Sequence, residues 1–204
     1  MIIQPFKHTR RMIISPGEFY ISTEQEVIST LLGSCVATCL YDPVNKVIGM
    51  NHFLLANRHS QFQHLVINSE AGRYGIHAME LLINGMLMKG AEKMYLKAKC
   101  FGGGDVLQFK EQGSGIKSVG AVNIEFIREF LKCENIPLVS SSLGGKNGMN
   151  VHFFGDDYAV YMKKITYLSE LALQKEEKEY WHKSISELEQ ESQRLAHHKC
   201  EFWT

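Results

Sequence analysis

Between Val27 and Leu55 the chain carries three apolar runs, VISTLL, CVATCLY and VIGMNHFLL, separated by Gly33-Ser34 and by Asp42-Pro43-Val44-Asn45. Each run is short and rich in β-branched residues, so each reads as a strand rather than a helix. Pro43 presets φ for the turn between the second and third runs. The segment therefore predicts a compact β unit with a sharp corner at Gly33 to Cys35.

The rest of the chain builds around that unit. Glu18 to Ser22 (EFYIS) predicts a preceding strand, and the polar stretch Asn57 to Asn68 a surface loop. Ser69-Glu70 opens a helix to about Lys89, with Ile76, Met79, Leu82, Ile83 and Met86 on one face. Lys93 to Phe101 reads as a strand entering Gly102-Gly103-Gly104, and Lys117 to Glu134 as a second amphipathic helix. Leu138 to Leu143, Met149 to Phe154 and Tyr158 to Ile165 read as closing strands. Beyond about Thr166 the chain has no proline or glycine, and scattered leucines sit among Glu, Lys, Gln and Ser. That composition predicts a helical tail. The expected organisation is one domain over residues 1–165 and a helical extension over 166–204. The fold class is α/β of the α+β type, a mixed, largely antiparallel sheet or sandwich core flanked by helices.

Lys plus Arg and Asp plus Glu both number 22, so no net charge steers the chain toward nucleic acid or an anionic membrane. Five cysteines at irregular spacing, with no CxxC pair, argue against a disulfide framework and against structural zinc. No run has the length of a signal peptide or of the ~20 apolar residues of a membrane span. The expectation is a reduced, soluble, cytoplasmic protein.

The corner is where chemistry could sit. A cysteine just past a glycine turn leaves its strand abruptly, and nearby N–H groups can converge on one point, as a thiol nucleophile with an oxyanion hole requires. The turn residues Gly33 and Ser34 are then candidates for substrate binding. His52 follows Cys35 by seventeen residues, on the returning strand across the Asp42 to Asn45 turn. It is the candidate base, since imidazole takes and returns a proton near neutral pH. Ser29 and Thr30 are hydroxyls that could orient it. Gly102 and Gly103 lack the Lys-Ser/Thr of a phosphate loop and read as a wall that a substrate backbone can approach. Cys39, four residues after Cys35, is an alternative thiol but reads as core. Cys100, Cys133 and Cys200 read as structural or incidental, and His59 and His64 as members of a solvated loop.

STLLGSCVATCLYDPVNKVIGMNHFLL resembles the chemoreceptor glutamine deamidase family, CheD. So do RYGIHAMELLINGMLMKGA, the strand into FGGG, VGAVNIEFIREFLKCENI, VSSSLGGKNGMNVHF and YAVYMKKI, together roughly residues 12–165. The resemblance implies a cysteine hydrolase with Cys35 as nucleophile and His52 as general base, acting on receptor glutamines without metal or organic cofactor. It implies a third catalytic residue, a Thr six positions before the Cys. That position holds Ser29 here, with Thr30 beside it, and both stay candidates. The family's Gly-Gly-Ala is replaced by Gly102-Gly103-Gly104-Asp105, and its Gly-Arg by Gly148-Met149. The implied partners are the cytoplasmic helical domain of chemoreceptors and a CheC-type phosphatase. A non-catalytic docking module of the same fold is the competing expectation, and a thiol hydrolase of another amide or ester a third.

Overall fold

A computed structural model describes residues 1–55, 70–106, 118–165 and 173–186. Ten strands occur among them: β1 (Ile2–Phe6), β2 (Thr9–Ile13), β3 (Phe19–Ser22), β4 (Val27–Leu32), β5 (Val36–Asp42), β6 (Val47–Phe53), β7 (Lys97–Gly102), β8 (Leu138–Leu143), β9 (Met149–Phe154) and β10 (Val160–Lys164). The helices are α1 (Glu70–Met88), α2 (Val119–Cys133) and α3 (residues 173–186). No helix among the described residues is long and apolar enough to cross a membrane.

The strands form two five-stranded sheets, ordered β1-β2-β4-β9-β10 and β3-β6-β5-β7-β8. Pairing is antiparallel except for β2 with β4 and β7 with β8. The expected α+β fold with a largely antiparallel core is thus what forms, and one detail differs. Val27 to Leu55 is not a single sheet unit, because β4 pairs with β2 and β9 while β5 and β6 belong to the other sheet. The corner at Gly33 to Cys35 carries the chain between sheets, and that crossing explains its sharpness.

Two cores follow from strand alternation. On β5, Val36 and Leu40 pack with α1 and α2, while Ala37, Cys39 and Tyr41, with Cys35 just before the strand, pack between the sheets. On β6, Ile48 and Met50 face the inter-sheet core. Gly49 points the other way, where an added Cβ would lie 2.8 Å from Leu82 of α1. That contact explains a glycine inside a buried strand. The amphipathic faces read from the sequence are the ones used: Met79, Leu82, Ile83 and Met86 of α1, and Val122, Phe126, Ile127, Phe130 and Leu131 of α2. Ser118, whose side chain accepts from the Ala121 N–H, caps α2 and sets its start.

Observed and expected elements differ mainly at their ends. Lys93–Tyr95 is a 3-10 turn, so β7 begins later than expected. β1 and β2 add to the expected strands. Their Lys and Arg residues obscure the alternation, and at the sheet edge β1 buries little. The Asn57 to Asn68 loop, His59, His64 and Cys200 lie outside the described residues.

Candidate active site

Three strands bring the candidate residues together. Ala37 of β5 pairs with His52 of β6. His52, two residues from Met50 and on the same strand face, therefore points between the sheets, where Cys35 also packs. On β4, Ile28 and Leu32 face that core, so Thr30 does as well, and Ser29 points away. The hydrogen bonds agree with this parity. Thr30 Oγ1 lies 2.7 Å from His52 Nδ1, whereas Ser29 Oγ lies 2.8 Å from Nδ1 of His152 on β9.

The Thr30 contacts assign the His52 tautomer. Thr30 donates its one hydroxyl proton to the Ile14 carbonyl at 2.7 Å, and that oxygen can only accept. Thr30 Oγ1 must therefore accept from His52 Nδ1–H, which leaves Nε2 bare. His52 Nε2 is buried and has no hydrogen-bond partner among the described residues. Burial pulls the His52 pKa down to about 3, against a smaller opposing pull from Glu18. The ring is thus neutral, with Nε2 free to accept a hydrogen bond and burial opposing its protonation.

A stability prediction follows from the same shift. The unfolded chain protonates this imidazole below its ordinary 6.5, while the folded chain resists until about 3. His52 therefore makes stability fall as pH drops from 6.5 toward 3, and contributes no loss above that window. The melting temperature of His52→Gln is expected to fall less steeply than wild type across that range. Parallel curves would refute the assignment.

The corner is braced from several sides. Gly103 N–H donates to the Cys35 carbonyl and Gly104 N–H to the Gly33 carbonyl, each at 2.7 Å. Gly102 has φ +101, and a Cβ there would sit 2.2 Å from the Cys35 carbonyl oxygen. Only glycine fits both constraints. Gly102 and Gly103 thus bring backbone close to the corner itself.

Asn123 of α2 is a residue that sequence reasoning missed. It donates to the Ser34 carbonyl and accepts from the Leu55 N–H, both at 2.8 Å, and it is fully buried. Asn123→Ala would leave two buried backbone groups unpaired, a cost of about 2–4 kcal/mol. Urea unfolding should show that loss; a midpoint unchanged from wild type would remove the brace.

The corner N–H groups converge as an oxyanion hole would, and they are occupied. Glu177 of α3 accepts through Oε1 from Gly33 N–H at 2.8 Å and from Cys35 N–H at 3.2 Å. Its Oε2 accepts from Ser34 N–H at 2.8 Å and Ser34 Oγ–H at 2.7 Å. Burial pushes the Cys35 thiol well up, and the Glu177 carboxylate beside it pushes further. Ligand atoms of Cys35, His52 and Glu177 lie within 4.8 Å of one another. Four hydrogen bonds already engage the carboxylate, which sets the trio apart from an open set of metal ligands. Glu177 had no signal in the sequence beyond its place in a Glu-rich tail. Cys39 is buried in the inter-sheet core, Cys100 is buried, and Cys133 is exposed.

A family model described as CheD chemotactic sensory transduction matches residues 55–164. The probable chemoreceptor glutamine deamidase CheD 2 of Shewanella oneidensis is 45% identical over 186 residues, covering 90% of this chain and 92% of that protein. The probable chemoreceptor glutamine deamidase CheD 1 of Geobacter sulfurreducens is 44% identical over 172 residues, covering 84% and 86%. Among solved structures, the crystal structure of Bacillus licheniformis hypothetical protein YfiH covers 57% of this chain and 46% of that one. Its identity is 14% and its TM-score 0.37, too low to carry an argument about fold or chemistry.

Proposed function

The chain belongs to the CheD family, and from that premise we propose that it deamidates glutamine side chains of chemoreceptors, hydrolysing each amide to glutamate and ammonia. The observation that carries this reading is the corner at residues 33–35. Three N–H groups converge there on one carboxylate, beside a thiol and a neutral imidazole with a bare nitrogen.

In this reading His52 Nε2 takes the Cys35 thiol proton as sulfur attacks the glutamine carboxamide carbon. The oxygen becomes an oxyanion held by the corner N–H groups. His52 returns the proton to the departing nitrogen, releasing ammonia and leaving a thioester. Water, deprotonated by His52, then attacks the thioester; glutamate leaves and the thiol is restored. Thr30 holds the imidazole in its working tautomer, and the 2.7 Å contact supports it over Ser29 for that role. Gly33 and Ser34 contribute their N–H groups to substrate, while Gly102 and Gly103 shape the floor beneath them.

The substrate region of a chemoreceptor is a helical hairpin in the cytoplasm, so the protein would act there on a helix surface. A CheC-type phosphatase is a further expected partner. The catalytic domain would span residues 1–165, with 166–204 appended.

Mass spectrometry of a receptor cytoplasmic fragment, after incubation with wild-type protein and with Cys35→Ala, tests the reading. Glutamine-to-glutamate conversion with wild type alone is expected. Conversion by both proteins would remove Cys35 as the nucleophile, and conversion by neither across several receptors would favour a non-catalytic docking module.

A further inference from the structure

The oxyanion site is filled from within the chain. α3 is amphipathic: Leu173, Glu177, Trp181, Ser184 and Ile185 are its buried residues, at spacings that form one stripe. Leu173 approaches Gly148, where an added Cβ would meet its Cδ2 at 2.6 Å. Trp181 and Ile185 join the inter-sheet core, and the Tyr180 hydroxyl lies 2.6 Å from that of Tyr74 on α1. At the centre of this stripe Glu177 is fully buried, and so is Cys35.

A buried carboxylate is costly unless it is fully hydrogen-bonded. Here the compensation comes from the groups that would stabilise a reacting oxyanion. A glutamate carboxylate is also what a substrate glutamine becomes on hydrolysis. Its Oε1 accepts from the Gly33 and Cys35 N–H groups, as an oxyanion at the corner would.

We propose that α3 is a built-in, product-like ligand: an amphipathic helix that occupies the groove meant for the substrate helix and sets Glu177 in the oxyanion site. The enzyme is then closed until that helix is displaced. This proposal rests on the deamidase reading above. It accounts for features that a permanently open site would not have. Cys35 is fully buried with α3 in place, and the adjacent carboxylate opposes formation of a thiolate. A receptor helix and α3 cannot both present a side chain to residues 33–35.

Were Glu177 instead a fixed part of the catalytic machinery, its removal would lower activity. The two roles therefore predict changes of opposite sign. The test uses full-length wild type, Glu177→Ala and Ser184→Arg, the last overfilling the buried side of α3 while leaving Glu177 intact. Iodoacetamide labelling of Cys35 at neutral pH is read by peptide mass, and deamidation of a receptor fragment is read in parallel.

Both variants are expected to label Cys35 at least ~10-fold faster than wild type and to deamidate faster, as removal of a dominant closed state requires. Cooperative thermal unfolding checks that each is folded; should Glu177→Ala fail that check, Ser184→Arg carries the test. Labelling at the wild-type rate in the folded variants, or slower deamidation, would overturn the proposal. Faster labelling with no deamidation by any of the three proteins would sink the deamidase reading and leave the occlusion of Cys35 standing.

Discussion

Cys35→Ala is expected to lower receptor deamidation by about 10⁴-fold or more, on the scale that deleting a covalent nucleophile reaches in hydrolases, while Cys39→Ala keeps most of the activity. The two thiols make an instructive pair because simple measures do not separate them. Both are buried, both lie on the inter-sheet side, and burial raises the pKa of both. What differs is position relative to the corner. Cys35 lies just before β5, with its N–H among the converging donors. Cys39 lies inside the strand, paired in register with Met50 on one side and Lys99 on the other. Loss of the Cys39 sulfur creates a small cavity, a cost of roughly 1 kcal/mol that unfolding rather than turnover would register. Equal losses of activity from the two substitutions, with both proteins folded, would remove Cys35 from its role.

The fold was legible wherever apolar residues follow a single period. β4, β8 and β9 form over the residues their patterns predict, and α1 and α2 bury the faces their three-and-four spacing selects. The change of sheet at Gly33 to Cys35 was not legible, because a two-residue break looks the same whether the chain folds back on its own sheet or crosses to another. β1 and β2 escaped for a different reason. Arg10, Arg11 and Lys7 interrupt the alternation, and an edge strand buries too little to leave a hydrophobic signature.

Within the site, Cys35 and His52 could be paired from their separation and the turn between them, because an antiparallel hairpin fixes which residues meet. Ser29 against Thr30 could not be decided in the same way. VISTLL is apolar on both sides of the two hydroxyls, so alternation gives no parity until the neighbouring strands are known. Asn123 and Glu177 were out of reach altogether. Each acts on the corner from a distant part of the chain, through a backbone group that any sequence would offer. Glu177 further resembles its solvated neighbours in composition and differs from them only in facing inward.

The parity of β4 leads to the second large effect, on the base and its support. His52→Gln is expected to reduce deamidation by roughly 10³-fold, since in the proposed mechanism it removes the group that moves the proton in both half-reactions. Thr30→Val keeps the shape of the side chain but removes the acceptor for His52 Nδ1–H and the donor to the Ile14 carbonyl. The imidazole can then adopt the other tautomer, with Nε2 protonated and unable to accept the thiol proton. A loss of about 10²-fold in kcat with little change in KM is expected, because both contacts of this buried hydroxyl are within the protein. Thr30→Ser restores both hydrogen bonds and should recover most of that loss, which a purely steric role for the residue would not allow. Ser29→Ala serves as the control. Its hydroxyl bonds His152 on the opposite face of the sheet, so its removal should leave kcat within about twofold of wild type, like other changes away from the reacting groups. If Ser29→Ala proved the more damaging of the two, His152 would have to be drawn into the mechanism, and the tautomer argued for His52 would lose its function.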